Sequence, residues 1–271
     1  MEPQETSAAP PIIPPPLPGE VSSPDPAQLP ARPFGFWATL GWSLLIVFAY
    51  VLVQGGAGLV MAMSGVVGQS GAMPSARDFE SNGLVIAIAT LLSTPVMVVL
   101  CLLCAALRQG LRVGDYLGLN WPPAKTAIGW SLAYLAILIA TDGVTTLLGR
   151  PMVPEFMVET YQSAKLLPLL WIALIVGAPL SEEFFFRGFL FKGLQHSFVR
   201  PWGTVVLTAA LWAVIHVQYD IYGIGLIFLE GLLLGCARLT TGSVWLCIAL
   251  HALTNLIATV QTAVYVSLLK T

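Results

Sequence analysis

The sequence predicts an all-α fold, a polytopic membrane bundle of about seven transmembrane helices. Apolar residues make up 56% of the 271 residues and charged residues only 10%, against roughly 25% charged in soluble proteins. The mean hydropathy is +0.81. No formal charge occurs from Pro33 through Ala76, and this stretch is long enough to cross a hydrocarbon core of ~30 Å, which needs about 20 apolar residues.

The N-terminal segment 1–33 differs from the rest of the chain, because it contains eleven of the twenty prolines. Proline lacks an amide donor and has a fixed φ, so a segment this rich in proline forms neither helix nor sheet. We therefore expect a disordered proline-rich tail. It has no basic start followed by an apolar core, so we expect no signal peptide.

Seven apolar segments follow the tail, and each is long enough to be a membrane helix. In lipid every backbone amide and carbonyl needs a partner within the protein, which predicts helices here. Pro179 can break the fourth segment, so the predicted count ranges from six to eight. The segments lie at about 36–63, 82–107, 126–148, 166–195, 202–218, 221–239 and 243–268.

The basic residues predict which way the bundle crosses the bilayer, because cytoplasmic loops carry more Lys and Arg. Seven helices with a cytoplasmic N-terminus place seven basic residues inside and four outside. The net charge of −2 says nothing about nucleic acid, but the twelve Lys and Arg residues form no basic patch, so we expect no nucleic-acid partner. The inside set is Arg32, Arg108, Arg112, Lys125, Lys192, Arg200 and Arg238, and the outside set is Arg77, Arg150, Lys165 and Lys270.

Ionisable and polar residues are concentrated in the second half of the apolar region. A charged side chain at the centre of a bilayer costs about 2.5–3.5 kcal/mol on insertion scales, so such residues usually have a function. The first half has almost none within its segments. The second half has Glu182-Glu183 with Arg187, then Trp212 with His216, and then His251 with Asn255.

Helical spacing relates these residues to one another. Glu183 and Arg187 are four apart with the acid first, the favourable order for an ion pair, and Glu182 lies ~100° round the helix from Glu183. One carboxylate can therefore pair with Arg187 while the other faces elsewhere. Trp212 and His216 repeat the spacing of four, which predicts an indole stacked beneath the imidazole.

The same helical geometry predicts that the polar residues meet. At 1.5 Å per residue, Glu182, His216 and Asn255 each lie ~20 Å from the same side of the bundle, and His251 lies ~14 Å from it. An acid without its own cation fits a general base, and neutral His and Asn can donate hydrogen bonds to an oxyanion.

Other interpretations of these residues remain open. Glu183 with Arg187 can be a purely structural ion pair, and an isolated histidine can simply join helices. Glu182, His216 and His251 can form a three-ligand zinc site. Glu182, His216 and Glu230 can instead act as the proton relay of a transporter.

In these three motifs the chain resembles the CPBP intramembrane proteases, also called the CAAX protease and bacteriocin-processing or ABI family. The family motifs are Glu-Glu-x-x-x-Arg, an aromatic residue followed four positions later by His, and His-x-x-x-Asn or Asp. All three occur here in that order, and 241–245 (Thr-Gly-Ser-Val-Trp) is also similar to the family. The resemblance covers roughly residues 165–260. Trp212 stands where phenylalanine is commoner.

The resemblance implies an intramembrane endopeptidase of the CAAX prenyl protease type, which acts on a membrane protein or a lipidated peptide, including prenylated CAAX proteins. It implies that Glu182 activates water with help from His216. His251 and Asn255 would then form the oxyanion hole.

Glu183 and Arg187, with the aromatic Trp212, would support the site. We expect no cofactor, although the family is often labelled metalloprotease, and the zinc set above is the alternative. The implied organisation is the tail 1–33, N-terminal transmembrane helices over 34–160 and a catalytic core over 161–268. A non-proteolytic binding or immunity protein on the same scaffold is the alternative function.

Overall fold

The computed structural model describes residues 32–67, 79 and 81–269, and within them the chain forms helices and no β-strand. The predicted all-α class is confirmed. The proline-rich tail, apart from residues 32 and 33, lies outside the described residues, as do Arg77 and Lys270. The helices of the described part are α1 (Phe36–Met63), α2 (Gly83–Ala106), α3 (Val113–Leu117), α4 (Ala124–Leu147), α5 (Glu155–Ser163), α6 (Leu167–Gln195), α7 (Arg200–Val214), α8 (Ile221–Thr241) and α9 (Val244–Leu268).

Six of these helices are long and apolar enough to cross a membrane, namely α1, α2, α4, α6, α8 and α9. Six lies within the predicted range of six to eight, and the chain is an integral multi-pass membrane protein. The predicted segment 202–218 accounts for the difference from seven. It forms α7, which has only 15 residues and is therefore ~22 Å long.

The residues after α7 explain why this helix is short. The helix ends at Val214, and 215–220 form an irregular turn in which the amide of Tyr219 donates to the carbonyl of His216 at 3.1 Å. Irregular backbone at membrane depth is tolerated only where it is buried in protein or lines a hydrated cavity. The turn therefore points to such a cavity beside His216.

Helix α6 runs through Pro179 without a break. It has 29 residues and contains two π-helical segments, Ala173–Gly177 and Phe184–Leu190. Glu182 and Glu183 lie in the short α-helical stretch between them. In a π turn the backbone hydrogen bonds run from i to i+5, and such turns occur frequently at functional sites.

Helices α7 and α8 pack antiparallel and in close contact. A Cβ at Gly231 would lie 3.0 Å from Ala209, and one at Gly235 would lie 3.0 Å from Val205. Small residues four apart let membrane helices approach closely. This contact fixes α7 against α8 and so fixes the position of the turn that carries His216.

Candidate active site

The predicted site residues come together in the half of the bundle where α6, α7 and α9 meet. Glu182, Trp212, His216, His251 and Asn255 all line one cavity of about 400 Å³. Their convergence on one cavity is compatible with their spacing along the helices.

Glu183 lies behind the cavity wall and is completely buried. Its Oε1 accepts from Arg187 Nη1 at 2.8 Å and from His251 Nδ1 at 3.0 Å. The spacing of four predicts the contact with Arg187, whereas the contact with His251 joins α6 to α9 and has no signature in the sequence. Within the described residues, Glu183 Oε2 and Arg187 Nε have no hydrogen-bond partner.

Arg187 is also completely buried and has two further contacts. Its Nη2 donates to the carbonyl of Gly231 at 3.2 Å, and its guanidinium carbon lies 4.8 Å from the centre of the Trp212 ring. A guanidinium over an indole face is a favourable cation–π arrangement. Arg187 therefore connects α6 to α7 and α8, as a residue that holds the site together would.

Trp212 is the centre of the site, which the sequence did not indicate. Its Nε1 donates to Glu182 Oε2 at 2.5 Å. The ring meets His216 edge to face, at 5.2 Å between centroids and 78° between planes, so the predicted stacking is wrong. It meets His251 in the same way at 5.1 Å. An indole nitrogen only donates, so this contact favours Glu182 as a carboxylate.

His216 is half-buried in the turn beyond the end of α7. Its Nδ1 lies 2.7 Å from the carbonyl oxygen of Trp212, one of the last carbonyls of the helix. Because a carbonyl only accepts, Nδ1 carries the proton, and Nε2 of the neutral ring keeps its lone pair. A neutral His216 can therefore accept a hydrogen bond from a water molecule.

His251 is held in the same way, but by a carboxylate. Its Nδ1 donates to Glu183, so Nε2 can donate only if the ring is an imidazolium. Buried charges are found paired. An imidazolium at His251 in contact with the buried Glu183 carboxylate would be such a pair.

Asn255 joins α9 to the first π-helical segment of α6. Its Nδ2 donates to the carbonyl of Leu174 at 2.7 Å. An amide nitrogen has two hydrogens, so one N–H remains for a ligand in the cavity that Asn255 lines.

Glu230 has a hydrogen-bond partner on α4, a helix that is distant in the sequence. The sequence analysis assigned Glu230 no role outside a proton relay. The hydroxyl of Tyr134 donates to Glu230 Oε1 at 2.6 Å, and Thr254 donates to the Tyr134 oxygen at 3.1 Å. Glu230 lines the cavity, but this hydrogen bond engages one of its oxygens. The 96 residues between Tyr134 and Glu230 explain why no local pattern reveals the pair.

The cavity continues towards one end of the bundle. A second cavity of about 770 Å³ shares Phe156, Tyr219 and Glu230 with it and reaches the ion pair of Arg150 and Asp220, whose atoms are 2.6 Å apart. The amide of Gly223 and the guanidinium of Arg150 hold the pKa of the exposed Asp220 below its ordinary value. The opening thus lies at the end where α4 finishes and α8 begins.

The alternative zinc site of Glu182, His216 and His251 stays a prediction. In the part of the chain that the structure describes, no group of three or more His, Cys, Asp and Glu side chains is placed to hold a metal ion. The Nδ1 atoms of His216 and His251 are both engaged, so a metal ion or a water molecule could be held only through their Nε2 atoms.

Two polar residues that line the cavity come from α1 and were missed by the sequence analysis. They are Tyr50 and Gln54. A search for charged residues within the membrane segments does not find them, because neither is ionised and their segment is otherwise strongly apolar. Their spacing of four in a membrane helix is the signal that could have revealed them.

A comparison with known protein families matches the region of the chain that contains the candidate site. Residues 164–257 match the family model of the type II CAAX prenyl endopeptidases, described as Rce1-like. The match includes all seven predicted site residues. No curated protein and no solved structure is significantly similar to the chain.

Proposed function

We propose that the chain is a CAAX-type intramembrane endopeptidase of the CPBP family, since residues 164–257 match the type II CAAX prenyl endopeptidase model, and that it hydrolyses peptide bonds by a water molecule that Glu182 activates. The family is one of membrane-embedded proteases that act on membrane-associated substrates. The proposed substrate is therefore a membrane protein or a lipidated peptide that reaches the cavity from the bilayer.

The observation that carries the proposal is the difference between the two neighbouring carboxylates. Glu183 is completely buried and bound by Arg187 and His251. Glu182 is half-buried, lines the cavity and has one donor, Trp212, on one oxygen. No donor among the described residues is bound to its other oxygen, which can accept a proton from water. A general base must lie within hydrogen-bond reach of the proton that it removes.

The remaining groups fit the other parts of peptide hydrolysis. The Nε2 lone pair of His216 can hold the same water as Glu182. Asn255 and the imidazolium of His251 can donate to the oxygen of the scissile carbonyl, where negative charge develops. After attack, Glu182 returns its proton to the leaving amine. Glu183 and Arg187 orient His251 and Glu182 from behind.

Cleavage of a defined peptide tests the proposal. The purified full-length protein is reconstituted in liposomes with a quenched fluorescent peptide that ends in a prenylated Cys-aliphatic-aliphatic-X sequence, and mass spectrometry identifies the products. We expect one new C-terminus from the wild type. His216→Ala should abolish cleavage, and Asn255→Ala should reduce kcat by about 10²–10³, as the loss of one oxyanion donor does.

The matched control for these variants is Ser267→Ala, which lies on the same helix and removes an exposed hydroxyl that donates to the carbonyl of Val264 at 2.7 Å and lines neither cavity. This variant should cleave at close to the wild-type rate. Cleavage by His216→Ala at the wild-type rate would contradict the proposed role of His216, and an inactive wild type would count against the CAAX-type peptide as substrate.

We further propose that the N-terminus is cytoplasmic. Arg238 is buried and donates to the carbonyl of Arg187 at 2.7 Å, so it does not contribute to a surface charge. The other basic residues still favour this orientation, because the described opposite end has only Arg150 and Lys165. The cavity, which reaches Arg150, then opens on the non-cytoplasmic side.

Cysteine labelling tests this orientation. With the four native cysteines replaced by serine, a single cysteine at Ser197 should react with an impermeant maleimide only after the cells are opened. A single cysteine at Met152 should react in intact cells. The reverse pattern would place the N-terminus outside and open the cavity to the cytoplasm.

A further inference from the structure

Helix α1, which lies outside the family match, contributes polar side chains to the cavity. Tyr50 and Gln54 are four residues apart and therefore share one face of α1. Both line the cavity together with Glu182 and Asn255. The flanking residues of this helix are apolar and largely exposed to the surroundings of the bundle, among them Phe48, Val51 and Leu52.

Hydrogen bonds fix the position of the Tyr50 phenol. Gln54 Nε2 donates to the Tyr50 oxygen at 2.9 Å and lies 3.4 Å from the Ser93 oxygen on α2. Ser93 is fully buried and donates to the carbonyl of Thr90 at 3.2 Å. The phenol is thus held from behind by an amide that is itself anchored to the neighbouring helix.

The direction of the hydrogen bond from Gln54 makes the Tyr50 hydroxyl a donor towards its other partners. Because the Gln54 amide donates, the phenolic oxygen accepts. The hydroxyls of Ser93 and Ser181 also interact with the phenol. Both serines donate to backbone carbonyls, so each can accept the Tyr50 proton until a stronger, negatively charged acceptor enters the cavity. Tyr50 and Glu182 line the same cavity, so a hydrogen-bond donor lies in the cavity of the proposed base.

The other donors of the site are largely committed. Trp212 Nε1–H is used by Glu182, one N–H of Asn255 by Leu174, and Nδ1–H of His251 by Glu183. What remains is one N–H of Asn255 and, in the imidazolium form only, Nε2–H of His251. An oxyanion needs donors that are aimed in advance at the position where its charge develops.

We propose that Tyr50 is a further catalytic residue, which donates its phenolic hydrogen bond to the oxyanion of the tetrahedral intermediate, and that Gln54 is a positioning residue for it. This inference rests on the proposed function, since it presumes that Glu182-activated water attacks a carbonyl in this cavity. Helix α1 contains none of the family motifs, and the proposal assigns it a part in the chemistry.

The variant Tyr50→Phe tests the role, because it removes one oxygen atom and keeps the ring. In the liposome assay with the prenylated peptide, we expect kcat to fall about 10²-fold and KM to stay unchanged, as for an interaction made only in the transition state. Gln54→Leu should lower kcat by a smaller factor. Tyr265→Phe is the control, because Tyr265 is exposed on α9 and lines neither cavity.

A second measurement separates catalysis from packing. A phosphinate analogue of the same peptide carries the tetrahedral oxyanion, and it should bind Tyr50→Phe about 10²-fold more weakly than it binds the wild type, in parallel with kcat. Binding of the analogue does not need turnover and can be measured at a temperature at which the variant is folded. Unchanged affinity for the analogue would overturn the proposal, as would a kcat close to that of the wild type.

The result also separates this inference from the proposed function. If the wild type cleaves the peptide, Glu182→Gln does not, and Tyr50→Phe is fully active, only the role of Tyr50 is wrong. If neither Glu182→Gln nor Tyr50→Phe alters the rate, the proposed function fails as well.

Discussion

Replacing Glu182 by glutamine should lower the rate of peptide cleavage by about 10²–10⁴, the range that general-base catalysis contributes. The glutamine keeps the size of the side chain and retains an oxygen that can accept from Trp212 Nε1. What it loses is the ability to take a proton from water. The expected change is therefore in kcat, with little effect on KM or on the stability of the fold.

The control for this variant is Glu230→Gln, which changes another carboxylate that lines the same cavity. Glu230 accepts the Tyr134 hydroxyl at 2.6 Å, and a glutamine oxygen can accept it equally well. We expect Glu230→Gln to cleave the prenylated peptide at nearly the wild-type rate. Equal loss in the two variants would mean that the charge of the cavity matters rather than the base at position 182, and it would favour a proton relay.

The sequence predicts the fold class well because the bilayer imposes a simple rule. A long apolar segment without charges must satisfy its own backbone, and only a helix does so within one segment. The rule fails at 202–218, where hydropathy continues but the helix stops at Val214. Hydropathy measures transfer to lipid and does not distinguish a helical turn from an irregular one that lines a cavity.

The candidate site is predicted only where its contacts are local. The pairing of Glu183 with Arg187 follows from a spacing of four, and the structure contains it. The contact of His251 with Glu183 spans 68 residues, and that of Trp212 with Glu182 spans 30. Such contacts depend on how α6, α7 and α9 pack, which no helical period specifies. The stacking predicted for Trp212 and His216 fails because His216 lies beyond the end of its helix.

The polar residues of α1 show a different reason for failure. Tyr50 and Gln54 carry no charge, so an analysis that looks for intramembrane ions does not find them. Their role depends on whether the side chains face the cavity that Glu182 lines or face the lipid. The packing of α1 against α2 determines which of the two they face. A search for uncharged polar residues four apart in apolar helices would have found the pair.

Arg187→Met should destabilise the folded protein by about 3–5 kcal/mol, because it removes the guanidinium from a completely buried ion pair and leaves the Glu183 carboxylate with only His251 as a partner. Both Arg187 and Glu183 are fully buried, and their atoms are 2.8 Å apart. The loss should appear as a lower denaturant midpoint for unfolding in detergent micelles. The control is Arg150→Met, which breaks the exposed pair with Asp220 and should cost no more than about 1 kcal/mol.

The double variant Glu183→Gln with Arg187→Met decides the reason for that loss. If the cost comes from an unpaired buried charge, removing the carboxylate as well should restore much of the stability, because the glutamine oxygen can still accept from His251 Nδ1. If the cost comes from the packing of the guanidinium over Trp212, the double variant should be as unstable as Arg187→Met. Recovery of stability without recovery of peptide cleavage would show that Glu183 has two separate functions, one in stability and one in catalysis. The fold needs only a neutral pocket, whereas an imidazolium at His251 needs the carboxylate of Glu183.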